Sequence, residues 1–136
     1  MEKEPDIRWQ QRFNNFKKAL AQLDKFVQKS ELNELEEQGL IKSFEYTYEL
    51  AWTTLKDYLE YLGYTELRGS RDTIRQAFQS GLIDNGEDWM HMYDCRRKTV
   101  HTYNEDTAGS IAHDILNTFY PLFYKLLEQL ENADSE

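Results

Sequence analysis

The sequence predicts an all-α protein, an up-down four-helix bundle with one short additional helix. Three observations carry this. Apolar side chains recur in steps of three and four along most of the chain. Six Gly and two Pro among 136 residues leave few breaks between long elements. No stretch alternates apolar and polar residues in the manner of a strand. A chain of 16.3 kDa buries roughly two-thirds of its unfolded surface, which suits a single domain over residues 1–136.

The first helix is expected from Ile7 to about Gln28, where Trp9, Phe13, Phe16, Leu20, Leu23 and Val27 form one stripe. Ser30 stands as the expected N-cap of a second helix, whose apolar positions Leu32, Leu35, Phe44, Tyr48, Ala51, Trp52, Leu55, Tyr58, Leu59 and Leu62 continue until Gly63. Gly39 is its weak point and is expected to divide a short turn from a long helix. Ser70-Arg71-Asp72 opens a short third helix carrying Ile74, Ala77 and Phe78, stopped at Gly81. Asp84-Asn85-Gly86 makes a turn. Glu87 and Asp88 then supply first-turn acids to a fourth helix that runs through Trp89, Met90 and Tyr93 to about Lys98. The β-branched pair Thr99-Val100 and the cap-formers Thr102 and Asn104 predict unwinding there, before Glu105-Asp106 start the last helix. That helix presents Ile111, Ile115, Phe119, Leu122, Leu126 and Leu130; Pro121 is expected to kink it, and residues 132–136 to form a polar tail.

Charge and composition narrow the function. The formal net charge is −9, which opposes a broad nucleic-acid groove. Its distribution is uneven: residues 1–30 hold seven basic and four acidic groups, 31–63 two and eight, 64–101 six and six, and 102–136 one and seven. The acidic stretches are helical in pattern and coat solvent faces, whereas Arg96-Arg97-Lys98 is the densest basic cluster. Mean hydropathy of −0.81 and the lack of a long apolar run argue against a membrane partner. The lone Cys95 and an N-terminus without a secretory apolar stretch imply a reduced, cytoplasmic protein. Trp9, Trp52, Trp89, nine Tyr and seven Phe exceed what four amphipathic stripes readily hide, so a homodimer is expected.

Few motifs bear on chemistry. There is no Gly-rich phosphate loop and no nucleophile elbow. His91, His101 and His113 are ten and twelve apart, with no Cys/His pairing at metal spacing, so neither metal nor cofactor is expected. Glu45 and Glu49, four apart in an aromatic surround, make either a supporting polar site or a half-exposed helix edge. The strongest constellation is Arg96-Arg97-Lys98-Thr99-Val100-His101-Thr102-Tyr103. Residues five apart on a continuous helix point about 140° away from each other. Arg96 and His101 therefore converge only if the helix ends between them. A guanidinium clamps phosphate with forked donors and an imidazole moves a proton near neutral pH. Such a pair suffices for RNA cleavage, in which the 2′-hydroxyl attacks the adjacent phosphorus and no metal is needed. The alternative is a plain helix C-terminus whose basic residues oppose the dipole.

Arg96-x4-His101-x-Tyr103, continued by Asn104-Glu105, resembles the motif of the HEPN family (higher eukaryotes and prokaryotes nucleotide-binding domain). More narrowly, the chain is similar to the bacterial and archaeal nucleotidyltransferase substrate-binding branch, which is paired with a minimal nucleotidyltransferase. The matching stretches are Trp9 to Phe13, Gly39 to Ile41, Phe44 to Trp52, Arg71-Asp72-x-Ile74-Arg75, Gly81 to Ile83 and His101 to Asn104, in order over nearly the whole chain. The resemblance implies a dimer that brings two Arg/His motifs into one ribonuclease site, with Arg96 and His101 catalytic. Arg97, Lys98 and Asn104 are candidate RNA or nucleotide contacts. It further implies a toxin whose partner, the nucleotidyltransferase antitoxin, silences it by transferring AMP to Tyr103 within a larger hetero-oligomer. The position of Arg97 commonly holds a small polar residue in relatives. A second cation there either strengthens RNA attraction or marks a site specialised for binding. Two functions therefore stand: a metal-independent ribonuclease toxin acting on RNA, or a non-catalytic substrate-binding or accessory subunit of a nucleotidyltransferase complex.

Overall fold

The computed structural model describes residues 8–135. Its elements are α1 (Arg8–Val27), α2 (Glu34–Tyr61), α3 (Ser70–Gln79), α4 (Gly86–Lys98), a 3₁₀ turn (Thr99–His101), α5 (Glu105–Asp114), a π-turn (Ile115–Phe119) and α6 (Tyr120–Asp134). No strand occurs among the described residues. The predicted all-α bundle is therefore the observed one, with α3 as the short additional helix. Ile7, expected to open the first helix, lies outside the described residues, as does Glu136 of the expected tail.

The contacts fix the directions. Phe26 lies against Gly39, Thr47 approaches Ala19, and Arg12 Nε donates to Asp57 Oδ2 at 3.0 Å. These pairs run in opposite senses, so α1 and α2 are antiparallel. Gln10 to Asp134, Phe16 to Phe123 and Asp24 to Tyr120 set α6 antiparallel to α1. Trp89 against Phe123 and His91 against Asp114 do the same for α4 and the α5–α6 run. At the centre the Phe44 and Phe119 rings stack at 5.5 Å, with Phe123 and Trp89 closing around them.

Two local expectations are corrected, the N-cap of α2 and the break at Gly39, and two are made specific, the distortion at Pro121 and the polar tail. The N-cap of α2 is Asn33, not Ser30: Asn33 Oδ1 accepts from Glu36 N and Glu36 Oε1 accepts from Asn33 N, a reciprocal box that Ser30 is too early to make. Gly39 does not break α2. It lets the Phe26 ring approach so closely that a Cβ would stand 2.9 Å from Phe26 Cε1, and this packing outweighs the helix propensity lost. Pro121 is accommodated by the π-turn just before it, where Tyr120 N–H bonds to Ile115 O. A proline has no N–H to give and its ring crowds the carbonyl four residues back, so the turn widens. Asn117 Nδ2 donates to His113 O at 2.8 Å at the start of that turn. The polar tail is helical through Asp134, since buried Leu130 anchors it and Gln10 reaches Asp134 Oδ1.

The aromatic excess is only partly met inside the chain. Trp9, Trp89, Tyr48 and five phenylalanines are buried, whereas Tyr46, Tyr61, Tyr64, Tyr103, Tyr124 and Phe78, the last assigned to the third helix's apolar set, are exposed. The most exposed large apolar side chains among the described residues are Leu35 and Tyr103, each 83% exposed and both lining one shallow groove between the start of α2 and the bend after α4. No described helix is long and apolar enough to cross a membrane.

Candidate functional site

The site forms where α4 ends. Arg96, Arg97 and Lys98 occupy its last turn, where cations oppose the dipole. The predicted unwinding is the 3₁₀ turn Thr99–His101. Thr99 is buried; its hydroxyl donates to Arg96 O at 2.7 Å and accepts from Arg96 Nη1 at 3.0 Å. Thr102 Oγ1 donates to Thr99 O at 2.9 Å, and Gln38 Nε2 donates to Thr102 O at 2.9 Å, which ties the bend to α2. Asn104 then caps α5, its side chain accepting from Asp106 N and Thr107 N. The Asn104 side-chain oxygen is thus engaged in holding the bend.

Arg96 faces α2 rather than His101. Its Nη1 lies 3.6 Å from Glu45 Oε2 and its Nε 3.3 Å from Glu49 Oε1. The Nε contact is an ion pair without hydrogen-bond alignment. Glu49 Oε2 accepts from Trp52 Nε1 at 2.9 Å, so the carboxylate that steadies the arginine is itself oriented. Glu45 and Glu49 thus form a polar clamp rather than an idle helix edge. Beneath it Tyr48 is buried, and desolvation raises its phenol well above the ordinary value.

His101 and Tyr103 come together on the outer side of the bend, with ring centroids 6.0 Å apart and planes at 77°. Within one chain, then, the fold unites His101 with Tyr103 and Arg96 with the two glutamates. Arg97 lies over the Tyr93 ring at 5.8 Å. Lys98 lines a different groove, beside His91, Cys95 and Asp114.

That neighbourhood was hidden in the sequence. Histidine spacing alone gives no sign of it, yet His91 and Cys95 are four apart on α4 and face Asp114 at the end of α5. The overlooked signal was the i,i+4 pairing of the single cysteine with a histidine. Burial first, and then the charge of Asp114, push the Cys95 thiol up to about 11, so it is a thiol and not a nucleophile at neutral pH.

An all-α bundle whose fourth helix breaks into an Arg-x4-His-x-Tyr bend is the architecture of a small HEPN-like domain. The chain belongs to the family described as nucleotidyltransferase substrate binding protein like, whose model matches residues 11–132. It is 30% identical over 100 residues to a Haemophilus influenzae protein named "Probable ribonuclease HepT", covering 71% of this chain and 68% of that one. A solved structure from Thermus thermophilus superposes with a TM-score of 0.74 at 32% identity, covering 87% of this chain and 97% of its own. A second solved structure, from Haemophilus influenzae and described as the fold of a substrate binding domain of a nucleotidyltransferase, gives a TM-score of 0.65 at 27% identity, covering 90% and 96%.

Proposed function

We propose that this chain is a metal-independent ribonuclease toxin of a cytoplasmic toxin–antitoxin pair, silenced when a minimal nucleotidyltransferase transfers AMP to Tyr103. The observation that carries the reading is the bend after α4, which holds an oriented guanidinium, an exposed imidazole and a phenol 83% exposed. In this reading two copies of the chain form the working site, each offering Arg96 from its clamp and His101 from its bend. RNA lies with a phosphate against Arg96. His101 takes the proton of the 2′-hydroxyl as its oxygen attacks phosphorus, the bond to the 5′-oxygen breaks, and that oxygen leaves with the proton returned by the imidazolium, giving a 2′,3′-cyclic phosphate and a 5′-hydroxyl end. The guanidinium stabilises the charge that grows on the phosphoryl oxygens.

Arg97, Lys98 and Asn104 are assigned as flanking RNA or nucleotide contacts. The homodimer rests on the apolar surface left exposed, of which Leu35 and Tyr103, the most exposed, line one groove. AMP on the Tyr103 hydroxyl adds bulk and about one negative charge beside His101, and so opposes the approach of RNA phosphate to the bend. Incubation with the adjacent-gene nucleotidyltransferase, ATP and Mg²⁺ should add AMP mass at Tyr103 and suppress RNA cleavage, and Tyr103→Phe should block the addition. Modification mapped to another residue, or full silencing of the Tyr103→Phe chain, would refute the role given to this tyrosine. The alternative, a non-catalytic substrate-binding subunit, draws on the net charge of −9 and on the Glu45/Glu49 clamp, which lowers the positive potential at Arg96.

A further inference from the structure

The ribonuclease reading leaves one chemical cluster unused. His91 and Cys95 stand a turn apart on α4, and Asp114 closes on them from the end of α5. His91 Nε2 is 3.0 Å from Asp114 Oδ2, and Cys95 Sγ is 3.7 Å from His91 Nε2 and 3.8 Å from Asp114 Oδ2. Four-coordinate zinc, with its usual bonds to sulfur, imidazole nitrogen and carboxylate oxygen, sets such donors about 3.3 to 3.6 Å apart. The observed triangle departs from that by only a few tenths of an ångström.

Burial is graded in the sense a metal site needs. Cys95 is 4% exposed, with the core behind it; the Asp114 side chain is 26% exposed and that of His91 49% exposed. The His91 ring is further set by Phe119, 5.5 Å away. In front of the three donors lies an open groove of about 300 Å³, also lined by Lys98, Asp106 and Ser110. Three donors and one side open to water is the pattern of a tetrahedral site with a free fourth position.

We propose that His91, Cys95 and Asp114 bind one divalent transition-metal ion, with Zn²⁺ the best match to a sulfur, nitrogen and oxygen donor set. Mg²⁺ and Ca²⁺ do not select a thiolate. Binding releases the Cys95 proton to solvent as the metal–sulfur bond forms, replaces the His91–Asp114 hydrogen bond, and involves no change of oxidation state. The donors lie on both sides of residues 99–104, so the ion staples α4 to α5 across the bend that carries His101 and Tyr103. This is a brace for the bend, separate from Arg96 and His101, and it stands or falls independently of the ribonuclease reading.

The test uses Co²⁺ as a spectroscopic stand-in for Zn²⁺ on the full chain after stripping with a chelator and desalting. A thiolate-to-cobalt charge-transfer band in the near ultraviolet and visible bands of tetrahedral cobalt should saturate at one ion per chain, and Zn²⁺ should bleach them. Cys95→Ser should abolish the charge-transfer band. His91→Ala, at a half-exposed position that does not threaten folding, should weaken Co²⁺ binding by about tenfold or more. Circular dichroism checks that both variants remain helical. Co²⁺ binding without the sulfur band, or a band of undiminished affinity in the His91→Ala chain, would overturn the proposal.

Discussion

Replacing Arg96 with alanine separates chemistry from stability, because the structure puts the two effects on different scales. The arginine makes two ion pairs, at 3.6 Å to Glu45 and 3.3 Å to Glu49, with side chains 27%, 31% and 47% exposed. Water screens pairs this open, so each contributes at most about 1 kcal/mol. Its hydrogen bond to Thr99 Oγ1 adds about 1 kcal/mol. The glutamates left behind can be rehydrated where they stand. The total cost is therefore about 2 to 3 kcal/mol against a net stability of about 5–15 kcal/mol, a fall of roughly 10 °C in melting temperature, and the chain remains folded. Loss of a guanidinium that stabilises the phosphorane costs about 100- to 1,000-fold in cleavage rate. Folded Arg96→Ala protein should thus be nearly inert, and adding Glu45→Gln and Glu49→Gln, which relieves the repulsion between the two carboxylates, should recover a small part of the melting temperature without recovering cleavage. Initial rates on a fluorogenic RNA, with melting curves on the same samples, measure both. Cleavage within tenfold of the parent, or activity that returns with stability in the triple variant, would refute the assignment of Arg96.

Arg97→Asn should weaken cleavage most at low ionic strength, because a cation that only attracts RNA loses its advantage as salt screens it; an equal loss at every salt concentration would place Arg97 in the chemistry. Asn33→Ala removes the side-chain half of the capping box and should cost about 1 kcal/mol in thermal melts. Gly39→Leu must displace the Phe26 ring and should cost about 1–3 kcal/mol. Tyr120 donates to Asp24, and this bond holds the Asp24 carboxyl below its ordinary range and helps to hold the phenol above its own. Asp24 therefore contributes stability that is full above the unfolded carboxylate pKa near about 4 and is lost as pH falls through the lower folded value; Tyr120→Phe should flatten that part of the melting-temperature profile.

The helices were legible because burial imposes a period that any amphipathic helix must display. The 3₁₀ turn at Thr99 was legible for a related reason, since β-branched residues before a capping asparagine do not extend a helix well. What stayed hidden depends on neighbours distant in sequence. Gly39 reads as a break until the Phe26 ring fills the space a Cβ would take. Glu45 and Glu49 read more readily as a half-exposed helix edge than as a polar site until the end of α4 brings Arg96 across to meet them. Asp114 has no motif at all, and only the antiparallel pairing of α4 with α5 sets it against His91 and Cys95. A widened turn before Pro121 could be anticipated only as some distortion, because proline dictates what is lost and the local packing decides how the helix adapts.

The proposed chemistry turns on a 2′-hydroxyl attacking its own phosphate with Arg96 and His101 in attendance. The most direct measurement incubates the purified chain, without added divalent metal, with a matched pair of RNA substrates that differ only by a 2′-deoxy substitution at the scissile nucleotide. The expected result is cleavage of the all-ribose strand to a 2′,3′-cyclic phosphate and a 5′-hydroxyl, no cleavage at the substituted position, and no cleavage of either strand by the His101→Ala chain. Cutting at the deoxy position, a requirement for added Mg²⁺, or undiminished cleavage by folded His101→Ala protein would contradict it.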